Sequence, residues 1–150
     1  MCMAEALPAD GELVSLEICE HLKTLAAELI SESQHAGKIH IILEPAIKFI
    51  NRIAETKEKF DMIFVDGEKA DYVPLFKMIF DNDLLSTGGT LLIDNAYNRG
   101  GAYNPSLNDR VPQELLDTVK AWQGLHTILL PLSDGLWMIR RMKDVERDAL

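Results

Sequence analysis

Strand-like apolar runs and helix-like apolar faces alternate along this chain, and that alternation limits the kind of sheet it can build. "ELVSLEI" (Glu12 to Ile18) reads as a strand launched by the Asp10-Gly11 turn signal. From Glu20 to about Gln34, Leu22, Leu25, Ala26, Leu29 and Ile30 recur at helical spacing, and Gly37 stops the helix. "IHIIL" (Ile39 to Leu43) is a second strand. Pro45 opens a helix with Ile47, Ile50 and Ile53 on its inner face. The "DMIFVD" strand, a helix from about Tyr72 to Leu84, the "GTLLIDN" strand and the helix Pro112 to Leu125 follow. Strands separated by helices return to one sheet by crossing over, so they run parallel, with both faces of the sheet covered. "HTILLPL" and "GLWMIRR" are joined only through Ser133-Asp134, a link too short for a crossover, so they form an antiparallel hairpin at one edge. No internal repeat, low-complexity tract or linker interrupts the pattern, and one domain over residues 1–150 is expected.

Doubly wound sheets of this kind bind ligands beyond the carboxyl ends of their strands. Glu17, Glu44, Asp66 and the pair Asp94-Asn95 all stand at or near such ends. Asp66, Asp94 and Asn95 together would offer two carboxylates and an amide oxygen, a hard oxygen set suited to Mg²⁺ or Ca²⁺. The same aspartates are also common helix caps, and that reading stands beside the first. Lys69 lies one helical turn past Asp66 and could face the same pocket, or extend into solvent as most lysines do.

Composition removes other classes. The chain has 150 residues, 47% of them hydrophobic, enough for one core. A formal charge of −9 argues against nucleic acid or an anionic membrane as partner. No apolar run reaches the roughly 20 residues of a membrane span. The opening "MCMAEALPADGEL" has no signal-peptide layout, so a cytoplasmic protein is expected. Cys2 and Cys19 form no CxxC, and the four histidines lack metal-ligand spacing. Trp122 and Trp137 fit core packing. Tyr97, Asn98, Arg99 and Tyr103 occupy a polar loop after Asn95 that could touch a substrate, though for most of them a solvated loop is the expected reading.

The ordered set "ALPADGELVSLEI", "FDMIFVDGEKADY", "LLSTGGTLLIDN" and "LLPLSDGLWMIRR" resembles the metal-dependent, S-adenosylmethionine-dependent O-methyltransferases. That class includes the catechol and caffeoyl-coenzyme A enzymes. The resemblance implies an α/β, Rossmann-like doubly wound sheet, mostly parallel, with the antiparallel C-terminal hairpin. It implies a divalent metal, Mg or Ca, on Asp66, Asp94 and Asn95, and Lys69 as general base. It also implies that S-adenosylmethionine contacts Glu17, Ala46 and Asp66, with Glu17 on the ribose hydroxyls and Ala46 beside the adenine. Where the family has a small residue before that turn, this chain reads Glu44-Pro45-Ala46. The implied substrate is a hydroxyl of a catechol-like or other phenolic small molecule.

In the family a strand and a glycine-bearing turn precede the segment that resembles residues 1–11. The expectation is therefore an N-terminally shortened domain lacking its first, central strand. Val14, Leu16, Met62 and Phe64 would then flank an open slot, and a homo-oligomer or partner chain could pair with the exposed sheet edge. Two further readings remain beside the enzyme: a non-catalytic remnant that binds a partner through that edge, and a metal-dependent hydrolase using Asp66 and Asp94. The hydrolase lacks any supporting histidine or further carboxylate cluster.

Overall fold

Leu13–Glu17 (β1) and Ile39–Leu43 (β2) pair in parallel, in register from Leu13 opposite Ile39 to Glu17 opposite Leu43. The computed structural model describes residues 1–97 and 111–148, and the chain divides into two compact units, Met1–Asn51 and Arg52–Leu150. The first unit opens with a short helix, α1 (Cys2–Ala6), and crosses between its two strands through α2 (Glu20–Ser31). Lys38, just before β2, donates from Nζ to the carbonyls of Leu7 and Pro8 and ties β2 to the turn ahead of β1. The helix α3 (Ala46–Ile53) begins in this unit and buries Phe49, Ile50 and Ile53 on one side, with Ile47 half-buried. The apolar stripe of α2 differs from expectation. Leu22, Leu25 and Leu29 are exposed and no residue of α2 is buried, because no described element covers that stripe.

The second unit holds a four-stranded mixed sheet built from Phe60–Val65 (β3), Leu85–Ile93 (β4), Leu125–Leu130 (β5) and Leu136–Arg141 (β6). Its order is β3-β4-β6-β5, with β3 and β4 parallel and β6 antiparallel to both of its neighbours. The C-terminal hairpin therefore closes one edge, as the short link between its strands requires. Two helices, α4 (Tyr72–Asp81) and α5 (Val111–Ala121), bury Tyr72, Leu75, Phe76, Ile79, Leu115 and Val119 at i, i+3, i+4 spacing. They share the core with Leu91, Ile93, Trp137 and Ile139. Trp122 completes an aromatic cluster, its ring centre 5.4 Å from Phe76 and 5.9 Å from Phe80.

The register of β3 on β4 jumps between Phe60 and Met62, whose partners are Leu85 and Thr90. The extra residues of β4 sit in a bulge that needs glycine: Gly88 has φ +82°, and a Cβ on Gly89 would lie 3.0 Å from the Phe60 carbonyl oxygen. A last helix, α6 (Met142–Asp148), holds the bulge from outside, with Arg140 Nη2 donating to the Gly88 carbonyl at 3.0 Å and to Asp148 at 2.6 Å.

Among the described residues, no strand pairs with the other edge of β1 or of β3. Met62 and Phe64, on one face of β3, are 57% and 42% exposed, so that face is not covered as a doubly wound sheet would have it. No described helix is long and apolar enough to cross a membrane.

Candidate active site

Val65 and Ile93 are register partners, so the chain leaves β3 and β4 at the same end of the sheet. The Asp94 N–H donates to the Val65 carbonyl at 3.0 Å, extending the ladder one step and setting Asp66 and Asp94 side by side beyond it. Asn95 follows at φ +53°, a left-handed conformation that asparagine tolerates better than most residues. After Asp66 the chain makes a single 3₁₀ turn at Lys69–Asp71 and enters α4 at Tyr72. Lys69 Nζ reaches back across the gap, donating to Asn95 Oδ1 at 2.7 Å and to the Tyr72 hydroxyl at 2.8 Å. The four residues expected in this unit are thus brought together, with Tyr72 as a fifth.

Electrostatics agrees with that geometry. Burial first, then the carboxylates of Asp66 and Asp94, push the Tyr72 hydroxyl up to about 12, so it is neutral at physiological pH. Neither carboxylate has a hydrogen-bond partner among the described residues, and neither caps a helix: the N-cap of α4 is Asp71. No cluster of three or more His, Cys, Asp or Glu side chains forms among the described residues. A cation here would rest on two carboxylates and the Asn95 amide oxygen, with water completing its shell, a donor set that fits Mg²⁺ or Ca²⁺.

The loop after Asn95 is held by a turn from far along the chain. Ala96 N–H donates to the Gly135 carbonyl at 2.9 Å and Tyr97 N–H to that of Asp134 at 2.8 Å. The Tyr97 ring lies against Gly135, where a Cβ would come within 2.6 Å of it. Gly135, at φ +85°, and Tyr72 are the site residues that the sequence reading missed. The "SDG" turn signal marked a hairpin and said nothing of what the hairpin touches. Asn98, Arg99 and Tyr103 lie outside the described residues.

Glu17 and Ala46 belong to the first unit. Glu17 ends β1, and its Oε1 accepts the N–H groups of Ile18 and Cys19 at 2.7 and 2.8 Å, which fixes the carboxylate at the start of α2. Its backbone carbonyl accepts the Glu44 N–H at 3.0 Å, bringing the turn before Ala46, the first residue of α3, alongside it. An open groove between α2 and Leu43 is lined by Glu20, Thr24, Ala27 and Ser31 and contains none of the candidate residues.

Known proteins share this sequence pattern and fold. Caffeoyl-CoA O-methyltransferase 5 of Nicotiana tabacum is 27% identical over 95% of this chain and 63% of its own length. Caffeoyl-CoA O-methyltransferase 1 of Eucalyptus globulus is 28% identical over 95% of this chain and 61% of its own. The chain therefore spans less than two thirds of these relatives. The SAH-bound methyltransferase PaMTH1 of Podospora anserina superposes with a TM-score of 0.75 at 28% identity, over 87% of this chain and 60% of that one. The SAH complex of the Bacillus cereus O-methyltransferase, at 21% identity and a TM-score of 0.80 over 91% of this chain and 66% of that one, shares the fold. The O-methyltransferase family model matches residues 1–142, and the chain belongs to that family.

Proposed function

We propose that the chain works as an S-adenosylmethionine-dependent O-methyltransferase domain, with both units parts of one cytoplasmic enzyme domain acting on a hydroxyl of a catechol-like or other phenolic small molecule. The observation that carries this reading is the position of Lys69 Nζ, bonded to Asn95 Oδ1 beside two carboxylates at adjacent strand ends that have no hydrogen-bond partner among the described residues. Asp66, Asp94 and Asn95 would hold a divalent cation, Mg²⁺ or Ca²⁺, and Glu17, Ala46 and Asp66 would contact S-adenosylmethionine. When bound, the cation supplies a Lewis acid for the phenolic oxygens, and the sulfonium supplies an electrophilic methyl group. Lys69 is the group placed to take the proton of the hydroxyl being methylated, held there by Asn95 and Tyr72. The remaining contribution of the protein is positioning of the two reacting atoms.

Isothermal titration with S-adenosylmethionine, with and without Mg²⁺, followed by mass-spectrometric detection of methylated catechol, tests the proposal. Binding strengthened by Mg²⁺ and a product 14 Da heavier, the mass of an added CH₂, are expected. A chain that binds neither cofactor nor metal would sink it.

The edges of β1 and β3 that no described strand pairs favour a second reading, in which this chain pairs with another copy or a partner chain, with or without catalysis. A sedimentation profile independent of concentration and of added protein would remove it.

A further inference from the structure

Lys69 has two acceptors, and only one of them belongs to the donor set proposed for the cation. Its Nζ lies 2.7 Å from Asn95 Oδ1, 2.8 Å from the Tyr72 hydroxyl oxygen and 4.5 Å from the Tyr72 ring centre. Tyr72 is 2% exposed and opens α4, whose following residues Leu75, Phe76 and Ile79 are locked in the core, so its ring cannot shift without the helix. Asn95 Oδ1 is differently placed: a divalent cation drawing on that oxygen would sit within a few ångströms of the ammonium and repel it. The tyrosine hydroxyl has no such competitor.

We propose that Tyr72 is a positioning residue, its hydroxyl and ring face forming the fixed seat that holds the Lys69 amine at the reaction site when Asn95 turns to a cation. The proposal rests on the cation site argued above and adds to it a side chain outside the donor set. It follows that Lys69 and the cation compete for Asn95 and that Tyr72 relieves the competition.

The test uses the full chain and two readouts. The first is the rate at which acetyl N-hydroxysuccinimide labels Lys69, followed by mass spectrometry against the exposed Lys48. Lys69 labels several-fold more slowly than Lys48, Tyr72→Phe removes much of that protection, and Asn95→Gly, which keeps the seat and suits the left-handed backbone, preserves it. Protection unchanged in Tyr72→Phe, or abolished in Asn95→Gly, overturns the proposal. The second readout is Mn²⁺ affinity in a double-mutant cycle. Tyr72→Phe weakens Mn²⁺ binding several-fold in the unsubstituted chain and has little effect once Lys69→Met is present. Equal weakening in both backgrounds means Tyr72 serves the fold alone, and overturns the proposal. A chain that binds no Mn²⁺ at all defeats the cation reading, and the labelling result then still decides whether Tyr72 is the seat.

Discussion

Glu17 uses one carboxylate oxygen to hold the turn into α2, and the second lies outside those bonds. Substituting alanine removes that acceptor, whereas glutamine keeps one for the Ile18 and Cys19 N–H groups. Glu17→Ala is expected to weaken S-adenosylmethionine binding by about 1–3 kcal/mol, the scale of a hydrogen bond to a charged group, as measured by titration calorimetry. Glu17→Gln should lose cofactor affinity with little change in melting temperature. Lys69→Met is expected to lower the rate of methyl transfer by roughly 10²–10⁴-fold, the usual contribution of a positioned base, with cofactor affinity unchanged in the same calorimetric assay. The positions of Asp66, Asp94 and Asn95 were legible because apolar strand runs end abruptly on them, and that of Lys69 because it lies one turn past Asp66. Tyr72 was not, since an aromatic residue opening an apolar helix face reads as packing, and its hydroxyl acquires meaning only once Lys69 is placed against it.

Among the elements, β4 owes its shape to α6. Burial alone would raise the Asp144 carboxyl, but the Arg141 guanidinium, at 2.8 Å, and the Gly88 N–H outweigh it and hold the group below the usual carboxylate range. A lowered folded value means a stabilising contribution present above the ordinary carboxylate pKa and lost as pH falls through the lowered one. Urea titrations should therefore show Asp144→Asn costing about 1–3 kcal/mol at pH 7, with the difference from the unsubstituted chain shrinking below about pH 4. The strands, their parallel and antiparallel senses and the hairpin were legible from period and link length. The helix α6 was not, because Met142 and Val145 are its only apolar residues and its anchors are ion pairs to β6. Gly135 belongs to this scale as well. Gly135→Ala forces an unfavourable φ and drives a methyl into the Tyr97 ring, so a melting temperature lowered by several degrees and weaker Mg²⁺ binding are expected.

At the scale of the whole molecule, the apolar surface left in water stands out more than the core. Met62 and Phe64 line a strand whose outer edge has no ladder partner among the described residues, and Leu22, Leu25 and Leu29 form a second exposed stripe. The resemblance led to the expectation of an open slot beside Met62 and Phe64, whereas the bare stripe of α2 was not legible, since an apolar helix face reads the same whether or not anything covers it. Such edges template association, which a net charge of −9 opposes only weakly at physiological salt. Sedimentation should show concentration-dependent self-association that the double substitution Met62→Lys, Phe64→Lys suppresses, and a monomer at all concentrations would contradict the expectation. The hairpin turn at Asp134 and Gly135 has a consequence in time as well as space. Ribosomes deliver residues 96 and 97 before the carbonyls that hold them, and at about 5–20 residues per second the delay is a few seconds. A nascent chain can zip β3 to β4 in that interval, yet the loop carrying Asn95 stays unset until the last hairpin has left the exit tunnel. The backbone bonds that fix the loop after Asn95 are thus made only once residues 134 and 135 are out, and a ribosome stalled before residue 134 would display β3 paired to β4 with that loop unset.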